Sequence, residues 1–241
     1  MRKTIATAVV AAAAATAGCG QTRAEDGGPT TSRNYQVGNF EEVEVAGPFD
    51  VTIRTGANPS VRATGSEKMI ERLVVEVKGN KLSIHPRREK GWFGGWNFRG
   101  KGQIAITVPM IRAATLAGSG GLDIDRVRGD RFEGQIAGSG DLRVGAVEVG
   151  SLKLGIAGSG AANAGSGRAR SAEYEIAGSG GVDARGIAAE DLKVSIAGSG
   201  DVKAQASRSA DVDIAGSGDV EVTGGATCSV SKAGSGNVRC S

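Results

Sequence analysis

Ile136-Ala137-Gly138-Ser139-Gly140-Asp141-Leu142-Arg143-Val144 contains the unit on which the fold turns. The tetrapeptide Ala-Gly-Ser-Gly within it begins at Ala117, Ala137, Ala157, Ala177 and Ala197, a period of twenty. It returns at Ala215 and Ala233, a period of eighteen. A further copy at Ala164 falls out of phase and is assigned to a loop. Apolar residues flank the tetrapeptide in fixed columns. One residue before it stand Leu116, Ile136, Ile156, Ile176, Ile196 and Ile214. Five and seven residues after its alanine come pairs such as Leu122/Ile124, Leu142/Val144 and Val202/Ala204. Polar residues lie between them: Asp123, Arg143, Lys203.

Alternation with a period of two is the mark of a strand with one buried face, so each repeat holds at least two short strands. Fixed columns at a fixed period mean that each repeat stacks on the next and pairs with it in parallel. The expected fold is all-β: a single-stranded parallel β-helix of about seven rungs of 18–20 residues. Right-handed coiling is the default for parallel crossovers. At a strand spacing of about 4.8 Å, seven rungs form a rod roughly 30 Å long. The corner glycines supply positive φ at little steric cost. The intervening Ser119, Ser139, Ser159, Ser179, Ser199, Ser217 and Ser235 form a ladder whose hydroxyls can bond along the column or to corner backbone.

Composition agrees. Glycine accounts for 40 of 241 residues, well above average usage, while only 5 prolines exclude a collagen pattern. Hydrophobic residues at 39% and charged residues at 23% indicate a folded chain, and 4% aromatics indicate a core of small aliphatic side chains. The net charge of +3 includes Arg2 and Lys3 and falls to +1 without them, which gives no basis for a nucleic-acid partner. One histidine and three cysteines leave little material for a metal site, and no metal or cofactor is expected.

The N-terminus reads as an address. After Arg2 and Lys3, residues 5–17 form an alanine-rich apolar run, too short to span a bilayer and suited to a signal peptide over 1–18. Thr16-Ala17-Gly18-Cys19 resembles the lipobox of bacterial lipoproteins, which implies a lipid on Cys19; Thr16 stands where leucine is usual. The alternative is ordinary cleavage after Ala15-Thr16-Ala17, leaving Cys19 a free thiol. Residues 19–34 read as a flexible tether. In an oxidising compartment, Cys228 and Cys240 suggest one disulfide closing a short C-terminal loop; two buried free thiols are the alternative.

Residues 35–116 are less regular and are expected to cap the helix that occupies 117–241. Short strands are read at 40–45, 49–54 and 61–64, broken at Gly47-Pro48 and at 56–59. Ser66 to Leu73 reads as a short helix with a serine cap, and 74–78 with 81–85 as a hairpin around Gly79-Asn80. The Phe49-Asp50-Val51-Thr52-Ile53 strand, that helix, Leu82-Ser83-Ile84, Ile106-Thr107-Val108-Pro109 and the Gly-Ser-Gly-Asp-Leu/Val rungs resemble the head GIN domain family, DUF2807, over about residues 38–225. The resemblance implies an exported bacterial β-helix, often a lipoprotein, with the family description "putative auto-transporter adhesin". It carries over no catalytic motif.

Three features bear on chemistry. Trp92, Phe93, Trp96 and Phe98 lie within seven residues of a basic, glycine-rich segment. Such a cluster can stack on sugar rings or enter a partner's pocket; a hairpin tip folded over the solenoid is the structural alternative. Asp201, Asp219 and Asn237 occupy successive rungs, either as a calcium ladder or, the preferred reading, as corner residues capping turn amides. His85 is the lone histidine, with no acid or nucleophile identified beside it, and no catalytic residue is assigned. The sequence therefore points to a non-enzymatic, membrane-anchored envelope protein: a surface binding module for a glycan, matrix or envelope-protein partner. A periplasmic structural or stress-related component is the first alternative and a carbohydrate-active enzyme the second. The oligomeric state is left open.

Overall fold

The structure is a computed structural model and describes residues 28–87 and 102–241. Five long strands form its body: β9 (Gly121–Gly138), β10 (Asp141–Gly158), β11 (Ala161–Gly178), β12 (Gly181–Gly198) and β13 (Asp201–Gly216). Each pairs in parallel with the next, so that Leu142 faces Leu122 and Ala162 at an offset of twenty residues. Each is one turn of a parallel β-solenoid of about 6 turns. The seven corner copies bound six intervals, which accounts for the difference from seven rungs.

A turn has three sides rather than two. In β10 the buried residues are Leu142 and Val144, then Val147 and Val149, then Leu152, Leu154 and Ile156. Between these groups the inward residues are three apart, and the pairing skips Gly145 and Gly150, which marks two corners. Gly158-Ser159-Gly160 makes the third. The middle side holds only two inward residues, and these vary from Val147/Val149 to Ile187/Ala189. That is too short and too variable for alternation to reveal it. The change of period to eighteen is absorbed at the first two corners of β13, where the register shifts between Ala184/Ala188 and Ala189/Asp191. The flat sides keep their alignment, Ala204 on Ala184 and Val212 on Val194.

The two corner glycines serve different needs. The first adopts positive φ, as at Gly158 (+132°). The second does not. At Gly140 a Cβ would lie 2.6 Å from the carbonyl oxygen of Gly120 in the preceding turn, so a side chain there collides with backbone. The serine ladder works through its backbone: Ser159 N–H donates to the Gly138 carbonyl at 2.9 Å, and Ser179 N–H to Gly158 at 2.9 Å. The seven hydroxyl-bearing side chains line up on the exposed edge.

The interior balances volume turn by turn. β11 places Ala162, Ala164, Ala169 and Ala172 in positions that hold Leu142, Val144, Val149 and Leu152 in the turn before. It compensates with Tyr174, which is 1% exposed and whose phenol pKa burial pushes well up. Elsewhere Phe132 lies beside Gly134, where an added Cβ would press on Leu142 and Leu154. Large and small residues thus alternate to keep the core at native density.

The N-terminal part extends these columns before it caps them. β2 (Glu42–Ala46) pairs in parallel with β8 (Ala113–Gly118), and β8 with β9. β3 (Phe49–Thr55) pairs with β9 and with β7 (Gly102–Val108). Ile106, Ile53 and Ile124 therefore stack as one inner column. Gly47, read from sequence as a break, sits at a corner: its N–H donates to the Ala117 carbonyl at 2.8 Å. Antiparallel elements then end the stack. β4 (Ser60–Ser66) lies on β7, and β5 (Leu73–Lys78) forms a hairpin with β6 (Lys81–Pro86). β1 (Thr30–Tyr35) lies on β4, so Thr30–Asn34, expected to belong to the tether, are part of a strand. The helix α1 (Glu67–Arg72) buries Met69 and Ile70. Ser66 occupies its N-cap without a side-chain bond; instead Glu67 N–H donates to the Pro29 carbonyl at 3.0 Å.

At the other end, β14 (Val220–Thr223), β15 (Thr227–Gly234) and β16 (Val238–Cys240) close the last turn. Cys228 aligns with Ala210 and Cys240 with Val222, both inward positions, and the two are joined by a disulfide. It spans the end of the core. Lys232 takes the column position of Ile214 and donates to the Gly236 carbonyl at 2.7 Å. A charge at this site discourages another strand from adding to the open edge.

Two outcomes are expected. Tyr174→Ala should destabilise the fold by about 3–5 kcal/mol in denaturant unfolding, because four neighbouring alanines cannot fill the cavity, while Tyr174→Phe should cost much less. Reduction, or Cys228→Ser with Cys240→Ser, should lower stability by about 3 kcal/mol, as expected for a loop of this size.

Candidate functional site

The sequence-predicted site residues fall mainly outside the described region. Cys19, and the cluster Trp92, Phe93, Trp96 and Phe98, lie outside the described residues. The structure fixes the two points from which the aromatic segment departs. Ile84 in β6 stacks in the column of Val45, Leu116 and Ile136, and Gly102 in β7 pairs with Phe49. His85 donates through Nδ1 to the Pro86 carbonyl at 3.0 Å, with Glu76 Oε1 3.8 Å from Nε2. Lys78, hydrogen-bonded to Glu76, holds that carboxyl below its usual range. This is a half-buried pair at a strand end, with no nucleophile bonded to it among the described residues.

The corner carboxylates act as caps. Asp201 Oδ1 accepts the Asp219 N–H at 3.2 Å, and Asp219 Oδ1 accepts the Asn237 N–H at 2.9 Å. Among the described residues no group of three or more His, Cys, Asp or Glu is placed to hold a metal ion.

Parallel in-register stacking sets the surface electrostatics. Identical residues in one column would place like charges about 4.8 Å apart. The outward columns alternate instead. Glu133, Lys153, Glu173, Lys193 and Asp211 stand in one file, with Lys153 bonded to Glu175 at 2.8 Å and to Glu173 at 3.4 Å. Asp123, Arg143, Asn163, Asp183, Lys203, Glu221 and Arg239 make another. The Arg208 guanidinium grips Asp191, and Ser209 Oγ donates to it at 2.8 Å; together they hold its carboxyl near a pKa of about 2.

Beside the first of these files runs a groove of about 540 Å³. Its floor is the alanine column Ala157, Ala177, Ala197, Ala215 and Ala233 with the edges of the isoleucines beneath. Its wall is the column Gln135, Gly155, Glu175, Ser195, Asp213 and Ser231. The floor is alanine in every turn, whereas the wall alternates longer polar side chains, Gln135, Glu175 and Asp213, with Gly155, Ser195 and Ser231. The alanine column was legible in the sequence, but the depth of the trough arises only when the sides are set at an angle.

A stack of parallel turns with alternating outer files and an axial trough defines a β-solenoid domain. The chain belongs to the DUF2807 family, described as "Putative auto-transporter adhesin, head GIN domain", whose model matches residues 39–226. β1 and the disulfide-closed last turn lie outside that match. Comparison with curated proteins finds no match. Three solved structures share the fold. One, from Bacteroides fragilis and described as a putative adhesin, has a TM-score of 0.79 at 23% identity over 88% of this chain and 97% of that one. A second, from Parabacteroides distasonis and described as a putative lipid binding protein, has a TM-score of 0.72 at 24% identity over 89% and 97%. A third, a putative adhesin from the same species, has a TM-score of 0.67 at 20% identity over 89% and 98%. No helix among the described residues is long and apolar enough to cross a membrane.

The Asp191 pair gives a titration test. Its carboxyl is depressed in the fold, so its stabilising contribution is present above the ordinary carboxylate range near 3.9 and is lost as pH falls toward about 2. NMR should show the Asp191 midpoint near 2, and Arg208→Ala should return it toward 3.9.

Proposed function

We propose that this protein is a non-enzymatic adhesion module of the bacterial cell envelope, anchored by a lipid on Cys19, with the side of the solenoid as its binding surface. Family membership supports the adhesin class. The observation that carries the reading is the axial trough running from Gln135 to Ser231, floored by alanine in every turn. A surface that repeats an alanine floor in every turn, walled by alternating longer and shorter polar residues, offers a long contact of regular period to a chain-like partner such as a glycan. The Trp92, Phe93, Trp96 and Phe98 cluster, outside the described residues, adds rings suited to stacking on sugars or filling a protein pocket.

Protease treatment of intact cells tests the reading, with lysed cells as control. The folded body should be shaved from intact cells, and Trp92→Ala with Trp96→Ala should reduce adherence while leaving the melting temperature unchanged. Cleavage only after lysis would overturn surface display in favour of a periplasmic role.

A further inference from the structure

The middle side of the solenoid carries more arginine than acid, seven arginines against five carboxylates. Its outward residues lie in 125–131, 145–151, 165–171, 185–191 and 205–209, and every basic residue in these spans is an arginine. Some are answered. Arg128 pairs with Glu148 at 3.1 Å, Arg208 pairs with Glu190 at 3.4 Å and grips Asp191, and Arg185 pairs with Asp183 at 2.6 Å. Asp125 is occupied by the Thr55 hydroxyl and N–H, each at 3.0 Å. The side chains of Arg126, Arg131, Arg168 and Arg170 make no hydrogen bond or ion pair among the described residues, and Asp130 is the one carboxylate left over on this side. On another side Lys153 and Lys193 are both bridged to acids.

Geometry adds to the excess charge. Arg168 and Arg170 are two apart on one strand, with Ala169 buried between them, so both project outward. Arg170 Nη2 lies 2.9 Å from the point where a Gly150 side chain would begin, so the absence of that side chain makes room for the guanidinium. Gly129, Gly150, Ala169 and Ala189 keep open a second groove of about 710 Å³, whose charged lining is Arg128, Arg168 and Arg170 with Asp130, Glu148 and Glu190. Arg128 and Arg168 are separated by one intervening turn, about 10 Å along the axis at the usual strand spacing. Guanidinium is the side chain that best forks onto sulfate and carboxylate oxygens.

We infer that this arginine-lined groove binds a linear polyanionic glycan, one bearing sulfate or carboxylate groups along its length. The inference rests on the adhesion reading and names its ligand class. A lipid surface fits poorly: Val230, the one exposed large hydrophobic among the described residues, lies in the last turn, away from this side.

Equilibrium binding of the full-length protein, solubilised in a neutral detergent, to dextran sulfate tests it, with uncharged dextran and anionic phosphatidylglycerol vesicles as comparisons. Dextran sulfate should bind, and Arg168→Ala with Arg170→Ala should weaken binding about tenfold or more. Lys203→Ala with Arg239→Ala, which removes the same charge from another side, should change it less than about threefold. If the first pair fails to fold, Arg168→Gln with Arg170→Gln, which keeps two long polar side chains in the groove, replaces it. Absence of binding, equal losses from both pairs, or preference for vesicles would overturn the inference. Such a failure alongside successful shaving of intact cells would remove only the ligand class, whereas dextran sulfate binding by a protein inaccessible on cells would remove the adhesion reading alone.

Discussion

The close approach of one corner to the next governs the rest of this structure. The carbonyl of Gly120 occupies the space that a side chain on Gly140 would need, and the same contact recurs up the stack. Because the corner has no room to vary, successive turns meet in one register only. That register fixes which residues stack, and every column becomes a file of neighbours one strand spacing apart. Inside, the files must fill a common volume. Outside, they must not repeat a charge.

The interior solves its constraint turn by turn rather than column by column. Four alanines in β11 are tolerated because Tyr174 occupies the space they vacate, and Gly134 because Phe132 lies beside it. A stack so built has no natural end, since each turn presents paired columns to a further one. The two ends are closed by different means. At the N-terminus, antiparallel β4 and β1 and the helix α1 change the direction and chemistry of the edge. At the C-terminus the inward columns run out into Cys228 and Cys240, joined across the core, and into a lysine in the isoleucine file. Terminal repeats with a polar outer face are what a solenoid needs to stay soluble.

The parts legible in the sequence were those in which one residue type has one reason to be there. Ile136, Ile156, Ile176, Ile196 and Ile214 announce an inner column, and the seven corner copies announce the stacking. The middle side was hidden because Val147 and Val149 make too short an alternation, and because Gly167 or Ala189 can stand in the same places. The columns continuing into residues 42–55 were hidden because Gly47-Pro48 does not look like Gly-Ser-Gly, although it turns the chain at the same corner. The strand at Thr30–Tyr35 has a polar composition that suits a tether equally well, and only its pairing with β4 makes it a strand. The arginine groove was invisible for a related reason: whether Arg168 is answered depends on Glu148 turning to Arg128, and a one-dimensional reading cannot see that choice.

Regularity also supplies a way to separate structure from function in such a fold. The alternating files of the first and third sides are what stacking demands of any charged column, so they need no ligand to explain them. The corner aspartates are likewise accounted for by the amides they cap. A departure from these demands is informative because stacking alone would disfavour it. The excess of arginine on one side is such a departure: four guanidiniums have no partner among the described residues, and two of them, Arg168 and Arg170, line the groove. A ligand with charges spaced along its length supplies the counter-charge that these guanidiniums lack.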